Sequence, residues 1–161
     1  MQAALVSVGT AVLRAAIFAA VNFACLAGDA VFRRQEMTDK LSLAFLLFAA
    51  GAALACLMAW PLAGLLARRR PPSVRLAAIL LLLMAGTAGF AAFFFFLQTR
   101  QYYAAYYPAE ATFEWLFHFA FTGAGAAYQV GVLGVRYFLP LGLIPLFTAA
   151  FIFAAEPRRR L

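Results

Sequence analysis

The sequence predicts an all-α integral membrane protein, with four transmembrane helices and an outer interfacial or re-entrant helical hairpin between helices three and four. Three observations carry that expectation. Of the 161 residues, 66% are apolar and 12% are charged, which leaves too little polar surface to cover a soluble globule of this size. Mean hydropathy is +0.90, which excludes a disordered tail or a small disulfide framework. Four apolar runs, 5–27, 41–67, 74–97 and 137–155, approach or exceed the roughly 20 residues that a helix needs to cross a bilayer. No long polar stretch separates them, so 1–161 reads as a single membrane domain.

The first helix is expected to be retained, not cleaved as a signal peptide. Its start lacks a basic region, Arg14 interrupts the apolar run, and the residues before Cys25 depart from a lipobox. At 100° per residue Ser7, Thr10, Arg14, Asn22, Cys25 and Asp29 fall within an arc of about 120°. An arginine near the centre of a lipid-facing helix costs about 2.5 to 3.5 kcal/mol, so this stripe is expected to face protein or water. Arg14 then either pairs with groups on a neighbouring helix or snorkels to the boundary, or with Asn22 it lines a path for an anion or a polar headgroup. The six acids, Asp29, Glu36, Asp39, Glu110, Glu114 and Glu156, nearly all fall at helix edges. A partner subunit, a lipid phosphate or a bound anion is the expected counter-charge.

Helices two and three read as packing elements. Ala49, Ala50, Gly51, Ala52 and Ala53 lie at the depth of Ala85, Gly86, Ala88, Gly89, Ala91 and Ala92 if the two run antiparallel, and small residues let helix backbones approach closely in lipid. The turn Arg68-Arg69-Arg70-Pro71-Pro72-Ser73 ends helix two, because prolines cannot continue the hydrogen-bond ladder. Arg68, Arg69, Arg70 and Arg75 are expected to contact anionic lipid headgroups, at about 1 kcal/mol each. Cys25 and Cys56 fall at different depths, beyond the roughly 7 Å Cα separation a disulfide tolerates, and read as buried structural thiols.

Between residues 98 and 136 the pattern changes. Tyr102, Tyr103, Tyr106 and Tyr107 suit a water boundary. After Pro108, an interfacial helix is expected, with Glu110, Glu114 and His118 at four-residue spacing on one face. Those three side chains are the only cluster resembling active-site chemistry. They form a solvated polar face, a metal site, a proton relay, or a contact to a pigment, haem or quinone. No cofactor is strongly implied, and one histidine excludes bis-histidine haem within the chain. Gly123, Ala127 and Gly131 repeat the close-packing signature. In the last helix Pro140 and Pro145 suggest a kinked start.

Net charge is +7 from 13 basic residues. The arginines sit in short clusters between apolar runs, so they read as topogenic charge and not as a nucleic-acid surface. Four crossings put Arg68, Arg69, Arg70, Arg75, Arg158, Arg159 and Arg160 on one side, against Arg33, Arg34, Lys40, Arg100 and Arg136 on the other. That bias places both termini in the cytoplasm of a bacterial inner membrane, the bacterial source being suggested by the alanine- and arginine-rich composition. Three functions fit: an accessory or assembly subunit of a larger membrane complex, expected to be non-catalytic; an oligomeric transporter or channel lined by the polar face of helix one; or a membrane enzyme using Glu110, Glu114 and His118. Expected partners are membrane lipids, other integral membrane subunits or further copies of the chain, with no nucleic acid.

Overall fold

The computed structural model describes residues 2–66, 70–106, 112–138 and 141–155. Among them are five α-helices and no strand: α1 (Gln2–Phe32), α2 (Asp39–Leu66), α3 (Pro72–Tyr102), α4 (Phe113–Phe138) and α5 (Leu143–Ala155), with a short 3-10 turn at Ala104–Tyr106. Local chemistry sets several boundaries. Arg34 ends α1 in the left-handed region at φ 54°, and the Gln35 N–H reaches back to the Ala30 carbonyl at 2.9 Å, the closing bond of a Schellman turn. Thr38 and Thr112 accept hydrogen bonds at Oγ1 from the Leu41 and Trp115 amides, 3.3 and 3.2 Å, and so cap the starts of α2 and α4. Pro72 opens α3, where its missing N–H leaves no bond unmade.

Four helical segments are long and apolar enough to cross a membrane: Gly9–Phe32, Asp39–Leu66, Pro72–Tyr102 and Phe113–Gly134. The chain is thus laid out as a multi-pass membrane protein. Its C-terminal third differs from the sequence expectation. Residues 98–102 continue α3, and residues 113–138 form one continuous 26-residue helix with no turn inside it. The expected helix 137–155 is divided: its first residues end α4, and the remainder is α5, whose 13 residues extend about 20 Å, short of the roughly 30 Å hydrocarbon core. Pro140 falls between the two helices, outside the described residues, and the Leu141–Gly142 turn precedes α5. The long α4 survives its glycines because Ala126 and Val130 are buried against other helices, and packing overrides weak local propensity.

α3 is the central element. It packs most extensively on α2 and also against α4 and α5, while α1 lies mainly on α2. The α2–α3 contact is close where the small residues meet. A Cβ placed on Gly51 would stand 2.8 Å from the Ala91 backbone nitrogen and 3.1 Å from the Thr87 carbonyl, and one on Gly86 would stand 3.0 Å from the Ala55 Cβ. This register confirms an antiparallel hairpin.

Two apolar clusters divide the interior. At the end carrying the α2–α3 turn, here the hairpin end, Phe18, Cys56, Ala59, Ile79, Leu83, Leu146 and Phe153 pack together. At the opposite end, Leu26, Phe45, Phe48, Ala91, Phe95, Ala126 and Val130 do so. α4 starts beside the end of α3, with the Phe96 and Phe119 rings 4.9 Å apart. α5 ends beside the start of α3 and the end of α2, with Phe153 5.2 Å from Trp60. Together α4 and α5 therefore return the chain to the end from which α3 set out.

Candidate functional site

The polar residues of α1 share a helix face, but the bundle covers them unequally. Ala15, Phe18, Asn22, Leu26, Asp29 and Ala30 are buried, whereas Thr10 and Arg14 are exposed. α2 covers the first set at helical spacing, and Arg14 lies just outside its cover. The side chain of Ser7 lies outside the described residues. Of the four whose side chains are described, Asn22 and Asp29 are packed inside and Thr10 and Arg14 face outward.

Arg14 finds its contact across the helix pair. Its guanidinium carbon stands 4.9 Å over the centre of the Trp60 ring. Trp60 meets Phe153 edge to face at 5.2 Å and 87°. Arg75 stands 5.3 Å over the Phe153 ring and donates from Nη2 to the Phe153 carbonyl at 3.1 Å. That carbonyl belongs to the last turn of α5, where helix carbonyls lack internal partners and favour a cation. Two arginines, from α1 and α3, are therefore braced on an aromatic pair from α2 and α5. A cation over an aromatic face contributes about 0.5 to 2 kcal/mol depending on solvation.

The opposite end repeats the arrangement. Arg100 of α3 stands 5.5 Å over Trp115 and 5.8 Å over Phe119, and those two rings stack at 5.2 Å and 23°. Beside them His118 Nε2 lies 3.9 Å from Glu114 Oε1, both groups well exposed. Among the described residues no group of three His, Cys, Asp or Glu side chains is placed to hold a metal ion. Glu110, like Arg68 and Arg69, lies outside the described residues. His118 and Glu114 do share a face at one-turn spacing, as their sequence positions require.

Mid-bundle polarity is sparse. Asn22 donates from Nδ2 to the Phe18 carbonyl at 2.7 Å, but its Oδ1 and the Thr87 Oγ1 have no hydrogen-bond partner among the described residues. Both residues fall between the two apolar clusters in sequence register, Asn22 between Phe18 and Leu26, Thr87 between Leu83 and Ala91. Asp29, 2% exposed, accepts from Arg33 Nε at 2.6 Å. Cys25 and Cys56 are both free thiols.

Arg75 is half-buried, while Arg70 is exposed just ahead of α3. Sequence reasoning missed Trp60, Phe153, Trp115 and Phe119, the rings that receive the arginines. A usable signal existed: the chain has only two tryptophans, each near a helix end, where amphipathic rings collect at membrane boundaries.

α4 carries a feature of another kind. Ala120, Ala124, Ala127 and Gly131 are exposed on its outer surface, and Cβ atoms added at Gly123, Gly125, Gly131 or Gly134 would meet nothing within 4 Å. Gly51 and Gly86 are consumed by a neighbour, but this ridge is open. No protein-family model, curated protein or solved structure matches the chain.

Proposed function

We propose that this protein is a non-catalytic accessory or assembly subunit of a larger membrane complex, docking through the outer face of α4. The open small-residue ridge of α4 carries this reading. Close backbone approach, not the hydrophobic effect, drives helix association in lipid. α2 and α3 already use that device on each other, while the ridge on α4 has no helix against it among the described residues. Of the four candidate spans, Phe113–Gly134 has the lowest hydropathy, 1.2, and is the least buried within the chain. Gln129 adds an exposed amide in mid-helix, and polar side chains in membrane helices commonly bond across to a neighbour.

A pathway lined by α1 has less support, because Asn22 and Asp29 are packed in the core while Thr10 and Arg14 face outward. Placement is in a bacterial inner membrane, with the arginine-rich hairpin end in the cytoplasm.

Purification from native membranes in mild detergent, followed by intact-complex mass measurement, tests the reading. Stoichiometric foreign subunits are expected. Gly131→Leu and Ala127→Leu, which fill the ridge, should release those subunits while leaving the thermal stability of the isolated chain unchanged. A homogeneous homo-oligomer, or a monomer, would overturn it.

A further inference from the structure

We propose that the middle of the bundle binds buried water, held in a polar layer to which Asn22 of α1 and Thr87 of α3 each contribute one oxygen. The inference does not depend on the partner-subunit reading.

Asn22 and Thr87 are 1% and 3% exposed, and among the described residues Asn22 Oδ1 and Thr87 Oγ1 have no hydrogen-bond partner. Each oxygen is turned off its own helix. Asn22 Nδ2 donates to the Phe18 carbonyl at 2.7 Å, which fixes the amide, because the opposite orientation would set two acceptors against each other. Thr99, Thr122 and Thr148 each donate from Oγ1 to the carbonyl four residues back, at 2.8, 2.7 and 2.8 Å, the usual local bond of a helical threonine. Thr87 forgoes that bond. A buried polar atom left without a partner costs more than an ordinary hydrogen bond gains.

The two residues occupy one level. Phe18 and Leu83 belong to the hairpin-end cluster, Leu26 and Ala91 to the opposite one, and Asn22 and Thr87 each stand four residues from a member of either. Trp60, Phe153 and Arg75 meet at the hairpin end. Counted inward from them along their helices, Gly51, Leu143 and Thr87 lie about 14, 15 and 18 Å deep. The start of α5 therefore falls at this level too, and the buried Gly142 brings turn backbone to it. Inside a membrane such backbone occurs where protein buries it or where it lines water. α2 carries Ala49, Gly51 and Ala52 here, and so offers the layer nothing larger than a methyl.

The chemistry selects the ligand. It must donate to Oδ1 and can either give or accept at Oγ1. Asp29 is the one buried charged residue among those described; it lies two turns from Asn22 and is held by Arg33. The layer is thus neutral. An anion would meet the lone pairs of Oδ1, and a divalent cation needs about six oxygens. Water supplies both a donor and an acceptor at the required size.

The isotope-labelled full chain in phosphatidylcholine bilayers is read by solid-state NMR, as magnetisation passed from water to side chains. Asn22 and Thr87 should receive it several-fold faster than Leu26 and Leu83, the apolar residues one turn away. Either polar side chain receiving it as slowly as those leucines would overturn the proposal. Thr87→Val removes the hydroxyl at nearly constant volume and should lower the thermal midpoint in detergent by about 2 to 4 °C, the shift for one lost hydrogen bond in a chain of this size. A midpoint that is unchanged or raised would show a dry, unpartnered hydroxyl and overturn the site. Thr87→Ser keeps the hydroxyl and should keep rapid transfer at Asn22; loss of it would overturn the role given to Oγ1.

Discussion

Asp29 is buried, and its carboxylate is held at 2.6 Å by Arg33, one turn on, whose side chain is 39% exposed. The two partners are therefore not equivalent. Arg33→Ala strands a carboxylate in an apolar cluster, at a cost of about 1 to 3 kcal/mol once partial solvation of the pair is allowed for. Asp29→Asn leaves a cation at the helix end that can turn to water. Thermal unfolding in detergent should fall further for Arg33→Ala than for Asp29→Asn, and the double variant should return to the Asp29→Asn value. Equal losses from the two single changes would show that the carboxylate is hydrated. Asp29 and Arg33 are four apart, so their pairing was legible in the sequence. The contact between Arg14 and Trp60 was not: 46 positions separate them in the chain, and nothing local marks a ring on another helix as the partner of a guanidinium. An aromatic face is itself an electron-rich surface for a cation.

At the scale of elements, α2 and α3 are joined by a contact with no slack. A methyl on Gly51 meets backbone atoms at 2.8 and 3.1 Å, and backbone cannot rotate away as a side chain can. Gly51→Ala should separate the two helices and cost about 1 to 3 kcal/mol, the range for overpacking. Gly89 lies on the same helix as the residues that crowd Gly51 but has nothing within 4 Å, so Gly89→Ala should be neutral or stabilising through helix propensity, by up to about 1 kcal/mol. Paired thermal melts in detergent check the contrast; similar losses for both would mean that helix propensity, not contact, governs these glycines. The small-residue runs that announce this hairpin are visible in the sequence because close packing demands them at matched depth. The extent of α4 was less legible. Glu114, His118 and Gln129 dilute its hydropathy to 1.2, and its glycines resemble loop residues when read alone. What keeps it helical is burial of Ala126 and Val130 against distant residues.

At the scale of the molecule, the path of the chain decides which charges share a side. α1 and α2 form one antiparallel pair, α2 and α3 another, and α4 followed by α5 returns to the hairpin end, where Phe153 meets Trp60 and Arg75. Two helices in succession, α4 and α5, thus make the return that the sequence assigned to one. Arg136 sits in the last turn of α4, three residues after Leu133, which packs with the cluster at the end opposite the hairpin. In a background lacking both thiols (Cys25→Ala, Cys56→Ala), single cysteines at Ser73, Glu36 and Ala155 report the arrangement through an impermeant thiol reagent applied to intact cells. Glu36→Cys should label, while Ser73→Cys and Ala155→Cys should label only after the membrane is opened. The reverse pattern would invert the orientation and leave the fold intact. Different behaviour at Ser73 and Ala155 would be more serious, because those positions can part company only if α4 and α5 do not together make a single crossing.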